Sequence, residues 1–399
     1  MVSPLSQEML PQVVASTPAN DIPQTGVRLF FLDHLRVWLT MLVIMHHLSL
    51  TYALIAPWYY MEPPTDPITS PLLLLFVLLN QAYFMGCFFL IAGYVTPASY
   101  ERKGAGIFLR DRLLRLGMPL LIFVALLAPL TSAIGYSSII SLIGPQPPMT
   151  PWQYYLGTIS PGPLWFLEAL LIFALLYALW RVMARQQPPT PQTDRPLPSF
   201  GAIVAFVLLL AVVTFVWRIW IPIGWTLPFL SFPTMGHLSQ YIGLFVIGIV
   251  AYRRNWLLRI PDKAGWIGWL AAIGSTVLLL GIILTNMEAF LTTFSGGLQW
   301  PAAVYASWEA IFCVGMVLGL LTLFRSRFNR QRTRGKFLSA NAYAAYVVHA
   351  TVIVALAYGL RDLHIFPLLK FAVAVIIAIL LCFGVAAVVR KFPGAQNIL

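Results

Sequence analysis

The sequence predicts an all-α, polytopic integral membrane protein of about ten transmembrane helices with both termini in the cytosol. Three observations predict it. The 399 residues are 59% hydrophobic and only 10% charged, which is not the balance of a water-soluble domain. Apolar runs of about 20 residues, enough to span a hydrocarbon core as helix, recur along the chain. With these runs taken as successive spans, all of the 25 Lys and Arg except Arg218, Arg361 and Lys370 fall on one side, which the positive-inside rule makes cytosolic. The net charge of +12 is then a matter of topology. Membrane lipid is the expected partner, and nucleic acid is not.

Residues 1–27 are rich in Pro, Ser, Thr and Gln and hold no Lys or Arg. They read as a disordered tail, not a signal peptide. A membrane domain follows over 28–395, with spans near 33–56, 71–95, 113–134, 163–183, 200–220, 236–252, 265–286, 302–324, 338–360 and 366–389. The connections 57–70 and 135–163, on the other side, lack Lys and Arg and are rich in Pro, Tyr and Trp. They suit an aromatic belt at the interface, or a lid or platform for a sugar acceptor. The linker 185–199, RQQPPTPQTDRPLPS, reads as flexible or polyproline-like. There is no internal repeat, which counts against transporter folds built from duplicated halves. Cys87, Cys313 and Cys382 lie within apolar runs and read as packing residues, with no metal site indicated.

The first span, LRVWLTMLVIMHHLS (Leu35 to Ser49), carries an arginine at one end and two histidines at the other. On a helix His47 stands eleven residues beyond Arg36, roughly 16 Å along the axis and about 20° from a whole number of turns. The two therefore share a face, with His47 near mid-membrane, while His46 points elsewhere. Asp33 is placed to pair with Arg36 in the first turn. Ionisable residues at that depth need a partner or a cavity. A neutral His47 there can take a proton from a hydroxyl, the work of a general base. Farther on, RDRLLR opens a helix with Arg112 and Arg115 three apart on one face, and Pro119 is expected to bend it. The pair reads as loop topology or as an anion clamp.

LDHLRVWLTMLVIMHH, FFLIAGY, RDRLLRLGMPLL, PLWFLEALLIF and LSANAYAAYVVHA, in this order over about residues 28–390, resemble acyltransferase family 3. These are multi-pass membrane enzymes that O-acylate polysaccharides, peptidoglycan, lipid-linked sugars and small molecules. The resemblance places the family's arginine-x10-histidine motif on Arg36 and His47, and its R-x-x-R motif on Arg112 and Arg115. It implies an acyl-CoA donor, usually acetyl-CoA, used as a co-substrate with no tightly bound cofactor. Arg36, Arg112 and Arg115 would hold its phosphates. His47 would act as base or, alternatively, carry the acyl group transiently. The partners implied are acyl-CoA and a hydroxyl acceptor such as a glycan or lipid-linked sugar, at the inner or plasma membrane. The chain departs from the pattern at Ala92, where many relatives carry serine.

Further polar residues lie within the expected spans. Glu168 is placed to orient His47 or His46, or to hold the acceptor, and enters the catalytic set with His47 and Arg36. His46, Asp33, Glu309, His349 and Tyr346 are candidates for the acceptor side or for supporting hydrogen bonds. Asn80 and Gln81 read as interhelical glue. His237, His364, Glu288 and Arg361 read as interfacial. The rival function is a transporter or exporter using the same buried charges. A cytosolic arginine cluster separates the two, because a CoA enzyme needs an anion site there and a proton-coupled carrier does not.

Overall fold

The computed structural model describes residues 29–144, 147, 149–184, 196–226 and 235–399. The tail 1–27, Arg28 and the linker through Arg195 lie outside the described residues. Every regular element described is helical: α1 Phe30–Ala53, α2 Thr69–Gln81, α3 Phe84–Arg112, α4 Met118–Ile122, α5 Ala128–Ile143, α6 Pro151–Thr158, α7 Trp165–Met183, α8 Phe200–Trp220, α9 Leu238–Arg253, α10 Asp262–Thr285, α11 Met287–Thr293, α12 Trp300–Arg327, α13 Thr333–Gly359, α14 Pro367–Val389 and α15 Ala395–Ile398.

Eight stretches among the described residues are long and apolar enough to cross a membrane, so the chain is a multi-pass membrane protein. The first helix is not one of the eight; Asp33, Arg36, His46 and His47 dilute its apolar content. One of the eight, Thr69–Ile143, is 75 residues long and holds α2 to α5. The inner helices α12 and α13 are mostly buried, whereas α8 and α10 are mostly exposed. The outer pair presents Leu208, Leu209, Leu270 and Leu278, each between 61% and 68% exposed, as a lipid-facing surface. α1 packs against α2, α3, α12, α13 and α14, which puts it at the centre.

The expected helix over 71–95 is interrupted. α2 stops at Gln81, and Tyr83 leaves helical geometry with φ −140°. The start of α9 makes this break tenable. Gln240 Nε2 donates to the Ala82 carbonyl at 2.7 Å, and Gln81 Nε2 donates to the Tyr241 hydroxyl at 3.2 Å.

The following helix does not end near residue 95, the expected limit of the span 71–95, although Gly93 lies close to that limit. α3 continues to Gly104, where φ 71° and ψ 170° break it. Gly93 has another task. A Cβ there would lie 2.1 Å from the Phe245 carbonyl oxygen, and one at Gly248 would lie 2.2 Å from that of Leu90. The two glycines let the backbones of α3 and α9 touch, as small residues do between membrane helices.

Between α3 and α5 two single π turns, Leu113–Gly117 and Phe123–Leu127, flank α4. Each precedes a proline. Pro119 has no N–H for the Arg115 carbonyl, and Pro129 has none for that of Ala125. The chain slips one residue instead: Met118 N–H reaches back to Leu113, and Ala128 N–H to Phe123. A tyrosine hydroxyl then caps each orphaned carbonyl, Tyr343 on Arg115 and Tyr155 on Ala125, the latter at 3.1 Å. At Pro119 the expected bend thus coincides with a π turn, and Pro129 adds a second.

The backbone contact makes a test. Gly248→Val should destabilise by about 1–3 kcal/mol through overpacking. Gly274→Val on α10, where a Cβ meets nothing within 4 Å, should change stability by less than about 0.5 kcal/mol. Thermal unfolding in detergent, followed by the loss of monodisperse protein, reads both.

Candidate active site

The site is strung along α1. At its N-terminal end Asp33 and Arg36 pair, with Oδ1 and Nη1 3.6 Å apart. Arg36 lines a cavity of about 470 Å³. Arg112, Arg115 and Arg390 line the same cavity, with Tyr343 and Ala92. Four arginines from α1, from α3 with its following π turn, and from the end of α14 thus line one hollow. Each is a fork of donors suited to phosphate oxygens. The π turn between Arg112 and Pro119 sets where Arg115 points, and Tyr343 holds that turn through the Arg115 carbonyl. Arg112 is further fixed over the Phe108 ring, 5.2 Å from its centroid.

A second cavity, of about 650 Å³, lies along the C-terminal half of α1. His46, His47, Trp58, Tyr59, Gln81 and Trp165 are among its walls, and among the described residues no Lys, Arg, Asp or Glu is. Its size and its apolar, aromatic character are those of a small-molecule site. The loop after α1 supplies Trp58, which stacks on His47 with centroids 4.8 Å apart, and Tyr59 packs edge-on against Trp58. That loop is tethered. Glu62 Oε1 accepts from Lys370 Nζ at 2.6 Å, and the Glu62 N–H donates to the Thr51 carbonyl at 2.8 Å.

The hydrogen bonds around His47 fix which of its nitrogens is available. His349 Nδ1 lies 2.5 Å from the Tyr346 carbonyl, which can only accept. The proton of a neutral His349 is therefore on Nδ1, and its Nε2 is an acceptor. That Nε2 lies 3.1 Å from His47 Nδ1, which is also 3.0 Å from the Val43 carbonyl. Two acceptors at one nitrogen place the proton of a neutral His47 on Nδ1. The lone pair of Nε2 is then left on a ring that lines the aromatic cavity. His46 takes a different role. It stacks on Phe84 at 5.1 Å, with Nδ1 3.3 Å from Asn80 Nδ2. Among the described residues Tyr346 alone lines both cavities.

The family model described as an acyltransferase domain, acyltransferase 3, matches residues 29–387. The chain belongs to the acyltransferase 3 family. No curated protein and no solved structure was found to match.

In this acyltransferase the structure brings Arg36, Arg112 and Arg115 to one cavity and His46 and His47 to the other. It sets His349 against His47 and Tyr346 between the cavities. It does not bring Glu168 to them. Glu168 sits in the first turn of α7, lines neither cavity, and has a buried Oε2 with no hydrogen-bond partner among the described residues.

Glu309 is elsewhere too, in a buried ion cluster between α8, α9 and α12. Its Oε2 lies 2.6 Å from Arg218 Nη2, and its Oε1 lies 3.3 Å from His237 Nε2. His237 is thus buried, not interfacial. The physical reason is the pairing itself, because two opposite charges and an imidazole can enter a low-dielectric space together when none could alone. One sequence signal pointed there. The three basic residues outside the charge alternation each have an acid partner: Arg218 with Glu309, Lys370 with Glu62, and Arg361 with Asp362 at 3.5 Å. Trp58, Tyr343 and Arg390 completed the site without any local motif.

Glu309→Gln leaves Arg218 without its charge partner and should cost about 3–5 kcal/mol. The double variant Arg218→Met/Glu309→Leu should recover most of that stability. Tyr343→Phe strips the Arg115 carbonyl of its donor and should cost about 1–3 kcal/mol. The fraction of folded protein surviving a heat step in detergent ranks all of them.

Proposed function

We propose that this protein moves an acyl group, acetyl in the simplest case, from cytosolic acyl-CoA to a hydroxyl of a glycan, lipid-linked sugar or small molecule at the inner or plasma membrane. One observation carries the reading: a single helix holds Arg36 in a four-arginine cavity and His47 in an aromatic one. CoA is a polyanion with a long thin arm, so its phosphates suit the first cavity and its thioester can extend toward the second. The proposed topology has ten spans with both termini in the cytosol. Adding α1 to the eight apolar stretches, and dividing the 75-residue stretch at Gly104, gives that count.

In the proposed reaction the acceptor lies against Trp58 and presents a hydroxyl to His47 Nε2. The hydroxyl oxygen attacks the thioester carbonyl carbon as His47 takes its proton. The carbon–sulfur bond breaks, and the CoA thiolate leaves and recovers that proton. The His47–His349 contact and the two backbone carbonyls hold the ring in the tautomer this step needs.

Calorimetry with acetyl-CoA on purified protein tests the donor site. Arg115→Ala should weaken binding about 10- to 100-fold, the loss of a charge-assisted hydrogen bond. His47→Ala should bind acetyl-CoA as the wild type does, while acyl transfer in a membrane extract falls about 10²- to 10⁴-fold. Absence of acetyl-CoA binding by the wild type would remove the donor from the account.

A further inference from the structure

Among the described residues the two cavities share Tyr346 alone, and we propose that Tyr346 is a specificity-determining residue that selects transfer to the acceptor over hydrolysis of the donor. The inference rests on the acyl-CoA reading above. Tyr346 lies flat against His349, 5.5 Å between centroids, and edge-on to Phe166 at 6.2 Å. Phe166 lines the arginine cavity. The Tyr346 ring therefore stands where the arm of a bound donor must pass to bring its thioester near His47.

A latch holds the ring there. The Tyr346 hydroxyl donates to the Pro163 carbonyl at 2.6 Å. Pro163 belongs to the wall of the aromatic cavity, as do Gly162 and Ser160 beside it. Gly162 has φ +45° and packs so closely on Tyr59 that a Cβ would lie 2.3 Å from the Tyr59 hydroxyl. Tyr59 lines the same cavity. A molecule filling that cavity thus touches the segment to which the latch is fastened.

With the cavity unfilled by acceptor, the latched ring separates a thioester in the arginine cavity from His47 and from the water around it. With the acceptor in place, the Pro163 segment shifts, the hydroxyl is released and the ring turns aside. The thioester carbonyl then meets the acceptor hydroxyl where water would otherwise be. Freed of the latch, the enzyme wastes its donor. Water attacks the thioester carbonyl carbon, and His47 takes the water's proton. The carbon–sulfur bond breaks, and the thiolate recovers the proton, giving acetic acid and CoA.

The test is CoA release from acetyl-CoA by purified protein with no acceptor added, beside acetyl-CoA affinity by calorimetry. Tyr346→Phe keeps the ring and loses only the latch. It should raise acceptor-free CoA release about tenfold, the population gained by losing one hydrogen bond. Tyr346→Leu should raise it at least as far. Tyr346→Phe should bind acetyl-CoA within about threefold of wild type, because it keeps the ring that lines the arginine cavity, and adding His47→Ala to either variant should return release to the wild-type level. If Tyr346→Phe binds acetyl-CoA normally and releases CoA no faster than wild type, the latch is overturned while the donor reading stands. If wild type binds no acetyl-CoA, the donor reading falls and the latch with it.

Discussion

Two backbone carbonyls, of Val43 and Tyr346, decide what His47 can do. Each faces an imidazole nitrogen that must supply a proton to it, and between them the His349–His47 contact of 3.1 Å passes the constraint from α13 to α1. The consequence is a ring with its donor nitrogen engaged and its acceptor nitrogen left for the cavity. Carbonyls do not titrate, so this orientation is built into the helices and needs no carboxylate. The orientation therefore does not call on Glu168, which lines neither cavity.

The remainder of the architecture keeps that contact in place at a membrane depth where errors are costly. Lys370 and Glu62 tie down the loop that lays Trp58 on His47. Gln240 and Gln81 pin the break between α2 and α3, which turns Gln81 and Phe84 into the aromatic cavity. The π turns around α4 re-aim Arg115, and their freed carbonyls are covered by tyrosines from α13 and α6. Buried ion pairs of this kind contribute little net stability in themselves, but removing one partner is expensive, so they act as fixed registers between helices.

Much of this was legible in the sequence where the argument was local. That Arg36 and His47 stand on one helix follows from the apolar run that holds both, and Arg112 and Arg115 lie close because they are three residues apart. The apolar runs gave the membrane class. What escaped depended on tertiary encounters. Arg390 is three hundred and fifty-four positions from Arg36 and joins it only through folding. Tyr343 has its role because Pro119 orphans a carbonyl on another helix. The extension of α3 beyond Gly93 escaped because a glycine that permits close helix packing looks, in sequence, like a helix end. Glu309 was a candidate for the acceptor side or for supporting hydrogen bonds, and it pairs with Arg218, which the charge alternation had placed only on the non-cytosolic side.

The most direct measurement is nitrogen-15 NMR of histidine-labelled protein near neutral pH, with His47 assigned by the spectrum of His47→Gln. The account predicts a neutral His47 protonated on Nδ1 with a bare Nε2, and a His349 protonated on Nδ1. A His47 protonated on Nε2, or on both nitrogens, would contradict it, because the ring would then have no lone pair to offer an acceptor hydroxyl.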